Sequence, residues 1–142
     1  MHTDEKPATV PTARWRWAVW IAFLCLWSVA LLVPDPVGFL LAYKPDDLEL
    51  SHETTFLMAK TLHVTAYATA AILTGWLRAP GVWRWALLAF WFLHAGATEI
   101  GQLFIPGRSG SLRDVGLDHL GLVIGVALSW RWWRGNSEER LE

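Results

Sequence analysis

A chain of 142 residues with a net charge of −1 and only 18% charged residues carries no basic surplus with which to grip a nucleic-acid backbone. It is 54% hydrophobic, with a mean hydropathy of +0.29. Its apolar residues fall in four blocks of about twenty, the length that crosses roughly 30 Å of hydrocarbon at 1.5 Å per helical residue, so the expected class is an all-α integral membrane bundle of four transmembrane helices.

The predicted elements follow in chain order. Residues 1–14 form a short polar tail. The first span runs over about residues 15–33 and is broken by Pro34-Asp35-Pro36. Its apolar run is long and no small-x-small cleavage site follows, which argues against a signal peptide. The single cysteine, Cys25, lies inside this span and reads as an ordinary buried thiol. A loop carrying Asp35, Asp46, Asp47, Glu49 and Glu53 leads to the second span, about residues 54–77, closed by Pro80-Gly81. The third span covers about residues 82–104 and stops before Pro106-Gly107, and the fourth covers about residues 112–133. Residues 135–142 form a second polar tail. No internal repeat is visible, and residues 15–133 read as a single membrane domain.

Lysine and arginine set the direction of the spans. Lys6, Arg14, Arg16, Arg78, Arg84, Arg131, Arg134 and Arg140 fall on one side, against Lys44, Arg108 and Arg113 on the other, with Lys60 inside the second span. Both termini are therefore expected in the cytoplasm. Trp15, Trp17, Trp76, Trp83, Trp85, Trp130, Trp132 and Trp133 all fall at the cytoplasmic ends, where an indole with an apolar body and a polar N–H anchors at the interface.

With this topology the polar residues gather in the outer half of the bundle. Lys60, His63 and Tyr67 share one face of the second span, spaced by three and then four. Glu99 and Gln102 lie three apart on the third span, and Asp114 and Asp118 four apart on the fourth, with Arg108 in the loop between. Facing lipid, such groups would cost a few kcal/mol each, so they are expected to face the interior or a wet cavity. His94 and His119 are set aside: His94 lies about 140° around the helix from Glu99, and His119 points away from Asp118's face. No pair of histidines has the i, i+4 spacing of a helical zinc motif, so neither a metal nor a cofactor is expected. Gly121 and Gly125 make a small-residue motif on the fourth span, for which Ala66, Ala70 and Thr74 are the expected counterpart on the second.

The combined pattern Lys60-x-x-His63-x-x-x-Tyr67, Glu99-x-x-Gln102-x-x-x-Pro106-Gly107-Arg108 and Asp114-Val115-x-x-Asp118-x-x-Gly121-x-x-x-Gly125 resembles the VanZ-like family, over about residues 54–128. Two positions depart from the family's habit: Ala59 stands where an Asp often precedes the lysine, and Asp118 where Asn is common. The resemblance implies a bacterial inner-membrane protein of the cell envelope, in a family whose namesake is associated with low-level teicoplanin (glycopeptide) resistance. The expected function is binding or processing of a lipid-linked or anionic amphiphilic envelope molecule at an extracytoplasmic polar site. Lys60, Tyr67, Gln102, Arg108 and Arg113 are the candidate ligand-binding residues, the cations holding an anionic headgroup. His63, Glu99, Asp114 and Asp118 are the candidates for acid–base chemistry, because histidine titrates near neutrality and carboxylates can orient it. No activated Ser or Cys nucleophile stands out, and whether the chain is an enzyme is left open. The expected partners are membrane lipids, a lipid-linked precursor or a membrane protein. The rival reading is a non-catalytic interaction or scaffold subunit whose polar cluster locks helices together.

Overall fold

The computed structural model describes residues 14–34, 38–39 and 51–134, and these contain helices and no strands. Both tails and the loop residues Asp35, Asp46, Asp47 and Glu49 lie outside the described residues, with the expectations placed on them. Four long helices, α1 (Arg14–Leu32), α2 (His52–Trp76), α3 (Gly81–Gln102) and α4 (Leu112–Leu128), are followed by a short α5 (Trp130–Arg134).

The helix ends follow local chemistry. The Ser51 hydroxyl accepts from the Thr54 N–H at 3.1 Å and opens α2, with Glu53 in the first turn where the exposed N–H groups favour an acid. Ser111 opens α4 in the same way, accepting from the Arg113 N–H at 3.2 Å with Asp114 in the first turn. The α2–α3 turn places Arg78 at φ 52°, a left-handed conformation that ends α2, and Pro80 caps the start of α3. The fourth expected span is not continuous. It divides at Ser129, whose hydroxyl donates to the Gly125 carbonyl at 2.6 Å and accepts from Trp133 Nε1 at 3.1 Å.

Contacts at the two ends show that successive helices run antiparallel. At one end Arg16, early in α1, donates to the Trp76 carbonyl at the close of α2 at 3.0 Å, and Arg84, early in α3, donates to the Trp132 carbonyl in α5. At the other end the close of α1, the start of α2, the close of α3 and the start of α4 come together. The core between them is aromatic: Trp20, Trp27, Tyr67 and Trp91 are buried and meet mostly edge to face. Thr74 accepts from both Trp20 Nε1 at 3.0 Å and Trp91 Nε1 at 3.2 Å while donating to the Ala70 carbonyl at 2.8 Å, so two buried indoles are satisfied by one hydroxyl.

Three expectations are corrected. Cys25 is exposed, because it lies on the outer side of α1 while Trp20 and Trp27 take the inner side. Trp133 is buried rather than an interface anchor, packing where Gly75 leaves room for its indole. The counterpart of Gly121 and Gly125 is the stripe Val64, Ala68 and Ala71, not Ala66, Ala70 and Thr74. That stripe has i, i+4, i+7 spacing and faces α4, whereas Thr74 faces α1 and α3.

Among the described residues, two helical segments are long and apolar enough to cross a bilayer, Arg14–Leu32 and Glu53–Trp76, against the four expected. The α3 helix is diluted by Arg84, His94, Glu99 and Gln102. The α4 helix has 17 residues and carries Arg113, Asp114 and Asp118.

Candidate functional site

The polar residues converge at the end of the bundle opposite the tryptophan-rich one. From α2, the Lys60 ammonium pairs with Asp114 Oδ1 and lies 5.0 Å from the Phe56 ring centroid. One turn on, His63 Nδ1 lies 2.8 Å from Asp118 Oδ1, with both side chains buried. A carboxylate accepts, so Nδ1 carries the proton and Nε2 is left to act as base or ligand. From α3, Glu99 is 5% exposed and accepts from the Ser111 N–H through Oε2 at 2.6 Å. This latch depends on Gly110, since a Cβ there would strike the Glu99 carbonyl. The loop between α3 and α4 is thereby tied to the helix that delivers Glu99.

Glu99 Oε1, Asp118 Oδ2 and Gln102 Nε2 are among the buried polar atoms in this region that have no partner, as is Trp27 Nε1 on the indole against His63. An open acceptor or donor away from water costs about 1–3 kcal/mol, more when charged. His63, Glu99 and Asp114 each offer an atom that could ligate a metal, and these atoms all lie within 4.8 Å of one another. Helical spacing could not reveal that set, because its members come from three different helices.

The other expected site residues lie elsewhere. The Arg108 guanidinium reaches the Leu31 carbonyl at 3.4 Å, where it supplies positive charge to the carbonyl end of α1. Arg113 is exposed. Tyr67 is fully buried one turn below His63 and turns towards α3, with its hydroxyl 3.0 Å from His94 Nδ1. The site is therefore richer in acid than expected: of the three cations assigned to an anionic headgroup, Lys60 alone joins the cluster.

Sequence reasoning set His94 aside, yet it bridges three helices. Nδ1 meets the Tyr67 hydroxyl and Nε2 meets Ser28 Oγ at 3.0 Å. Ser28 already donates to the Leu24 carbonyl at 2.7 Å, so it accepts from His94 and has no proton left for nucleophilic chemistry. The signal was the 27-residue separation of two polar groups on antiparallel helices, which a single-helix pattern does not register. His119 turns to the Phe92 carbonyl at 3.3 Å, away from the face of Asp118, as its position predicts.

Over the described residues the fold and site define an all-α bundle with two helices fit to cross a bilayer and a buried histidine–carboxylate cluster at one end. The chain belongs to the VanZ/LLP1 family, whose sequence profile matches residues 7–134. Neither the curated proteins nor the solved structures offer a match.

Proposed function

We propose that this VanZ-family chain is a four-span protein of the bacterial cytoplasmic membrane, forming one membrane domain over about residues 15–133 with both termini in the cytoplasm. Its buried cluster, near the extracytoplasmic face, binds or processes the polar head of a lipid-linked or amphiphilic envelope molecule. A link to glycopeptide resistance is part of this proposal through the family alone. Support for the bilayer comes from the outer surface, where Leu93, Ile100, Phe104, Val123 and Leu128 are exposed on α3, α4 and the loop between them, so the two less apolar helices also turn large hydrophobic side chains outward. Support for four spans comes from length: α4 covers about 25 Å, and α5 carries the chain further in the same short segment.

The observation that carries the reading is the group of unpartnered buried atoms, Glu99 Oε1, Gln102 Nε2 and Asp118 Oδ2 among them, beside the His63–Asp118 pair. Open polar atoms at this depth suit a site that gains its remaining partners from a ligand. Below them an apolar cavity of about 150 Å³, lined by Leu88, Phe92, Leu122, Val123 and Val126, offers a place for an acyl or isoprenoid tail. Polar groups above and an apolar groove below match an amphiphile. In an enzymatic version Asp118 orients His63, which acts as the general base or acid.

The rival reading, a helix–helix lock in a non-catalytic subunit, draws on the Lys60–Asp114 and His63–Asp118 pairs, which join α2 to α4. The two readings part on native purification followed by mass spectrometry of co-purifying lipids, comparing the wild type with His63→Ala and His63→Gln. The site reading expects a defined lipid retained by the wild type and lost from both variants, while insertion and melting temperature stay normal. An unchanged lipid profile, or a loss of lipid only where the variant unfolds, would leave the lock.

A further inference from the structure

We infer that His63, Glu99 and Asp114 form a binding site for a divalent transition-metal ion of the zinc or manganese kind, with Asp118 as the positioning residue behind His63. Four observations lead there. The candidate ligand atoms already lie within 4.8 Å of one another. Three N and O ligands held at about 2.0–2.2 Å from one metal sit roughly 3.4–3.8 Å apart, so closure needs about 1 Å of side-chain movement at most. Glu99 is 5% exposed and keeps Oε1 unpartnered while Oε2 is held by the Ser111 N–H, as a ligand anchored through its other oxygen would be.

Charge gives the third observation. Glu99, Asp114 and Asp118 bring three buried carboxylates to the cluster, and Lys60 brings one ammonium. The two remaining negative charges are what a divalent cation neutralises, and burying them uncompensated is far costlier than binding it. The fourth is the His63–Asp118 hydrogen bond at 2.8 Å. A carboxylate on Nδ1 fixes the tautomer that frees Nε2 for a metal, the usual arrangement behind a metal-bound imidazole. One nitrogen and two carboxylate donors, with no thiolate, suit zinc or manganese better than copper(I). Three protein ligands leave a coordination position open, and this deepens the proposal above, on which it rests for its ligand: the open position takes a phosphate or similar anion of the bound amphiphile, which explains how an acid-rich site accepts an anionic headgroup.

The test uses the full chain in nanodiscs, stripped with a chelator, loaded with Zn²⁺, Mn²⁺ or Co²⁺, desalted, and assayed for metal by mass spectrometry. The expected result is one equivalent of Zn²⁺ or Mn²⁺ per chain in the wild type. Retention should fall below one tenth in Glu99→Gln and Asp114→Asn, with His119→Ala unchanged. Asp118→Asn should weaken affinity about 10–100-fold yet preserve the Co²⁺ visible spectrum at saturation, since it removes the positioning residue and not a ligand. Should a variant fail to fold, the wild-type stoichiometry and a Co²⁺ spectrum showing imidazole ligation still decide the matter. A wild type that retains none of the three metals overturns the inference, as do variants that hold as much as the wild type. A wild type that binds no metal but keeps its co-purifying lipid overturns the metal site alone; one that binds metal and keeps no lipid overturns the amphiphile instead.

Discussion

Gly125→Ala is the most direct probe of how the site is positioned. A Cβ at residue 125 would collide with the Ala68 carbonyl oxygen and lie 2.8 Å from Ala71 Cβ and 2.9 Å from the Ala68 carbonyl carbon. Ordinary contact begins near 3.4 Å, and the obstacles are backbone and a Cβ, which no rotamer change can move. The α2 and α4 helices must therefore separate by more than half an ångström along their tightest seam. Overpacking of this kind costs about 1–3 kcal/mol. Because α2 carries Lys60 and His63 while α4 carries Asp114 and Asp118, the same separation stretches both the Lys60–Asp114 ion pair and the His63–Asp118 hydrogen bond across the seam. Gly116 is the control: it lies on α4 with nothing near its would-be Cβ, and Gly116→Ala is expected within about 1 kcal/mol of the wild type, on the stabilising side. Reversible unfolding in mixed micelles measures the stabilities. The reasoning fails if Gly125→Ala matches the wild type within about 0.5 kcal/mol, or if Gly116→Ala is equally harmful.

Lys60→Asp is expected to lose bound lipid and stability by leaving two acids face to face, and Asp114→Lys in the same chain should restore stability, as read by melting temperature. Glu99→Lys should give no such rescue, because Asp114 and not Glu99 is the partner of Lys60; equal rescue by both would refute the pairing. Arg108→Met should lower stability by about 1 kcal/mol through loss of a charged donor at the end of α1, and leave the profile of co-purifying lipids unchanged. A lipid lost with Arg108 alone would return that residue to the headgroup.

Helical periodicity made the helices and the convergence legible, because both are properties of single segments. The spacing of Lys60, His63 and Tyr67 puts them on one side of α2, and Asp114 and Asp118 on one side of α4, whatever the partner helices do. What periodicity does not contain is the rotation of one helix against another. The Gly121–Gly125 seam shows the limit: the small-residue motif was visible, but two stripes of small residues on α2 could receive it. The stripe of Val64, Ala68 and Ala71 won, since Thr74 was needed on the other side by two indoles. The same rotation takes Tyr67 towards α3 and His94, although its spacing from His63 is helical. Arg108 shows a different limit of the sequence. A loop cation was assigned by its charge to an anionic ligand, while the nearer claim on it was a backbone carbonyl of α1, invisible without the fold.

The removal of Arg108 and Arg113 from the cluster changes the chemistry of the site. With three arginine or lysine side chains it would be an anion pocket, and its carboxylates would serve to hold those cations in the absence of ligand. With Lys60 alone, the carboxylates outnumber the cation and two of them keep an unpartnered oxygen. A bundle stabilised only by packing would replace such groups with apolar side chains, as Leu122 and Trp91 fill the layer beneath them. Buried acid beyond what Lys60 neutralises is a cost that folding alone does not recover. Its presence at the point where α2, α3 and α4 meet is the physical reason for proposing a function at this end of the bundle, and for proposing a metal ion rather than an arginine as the intermediary to a headgroup.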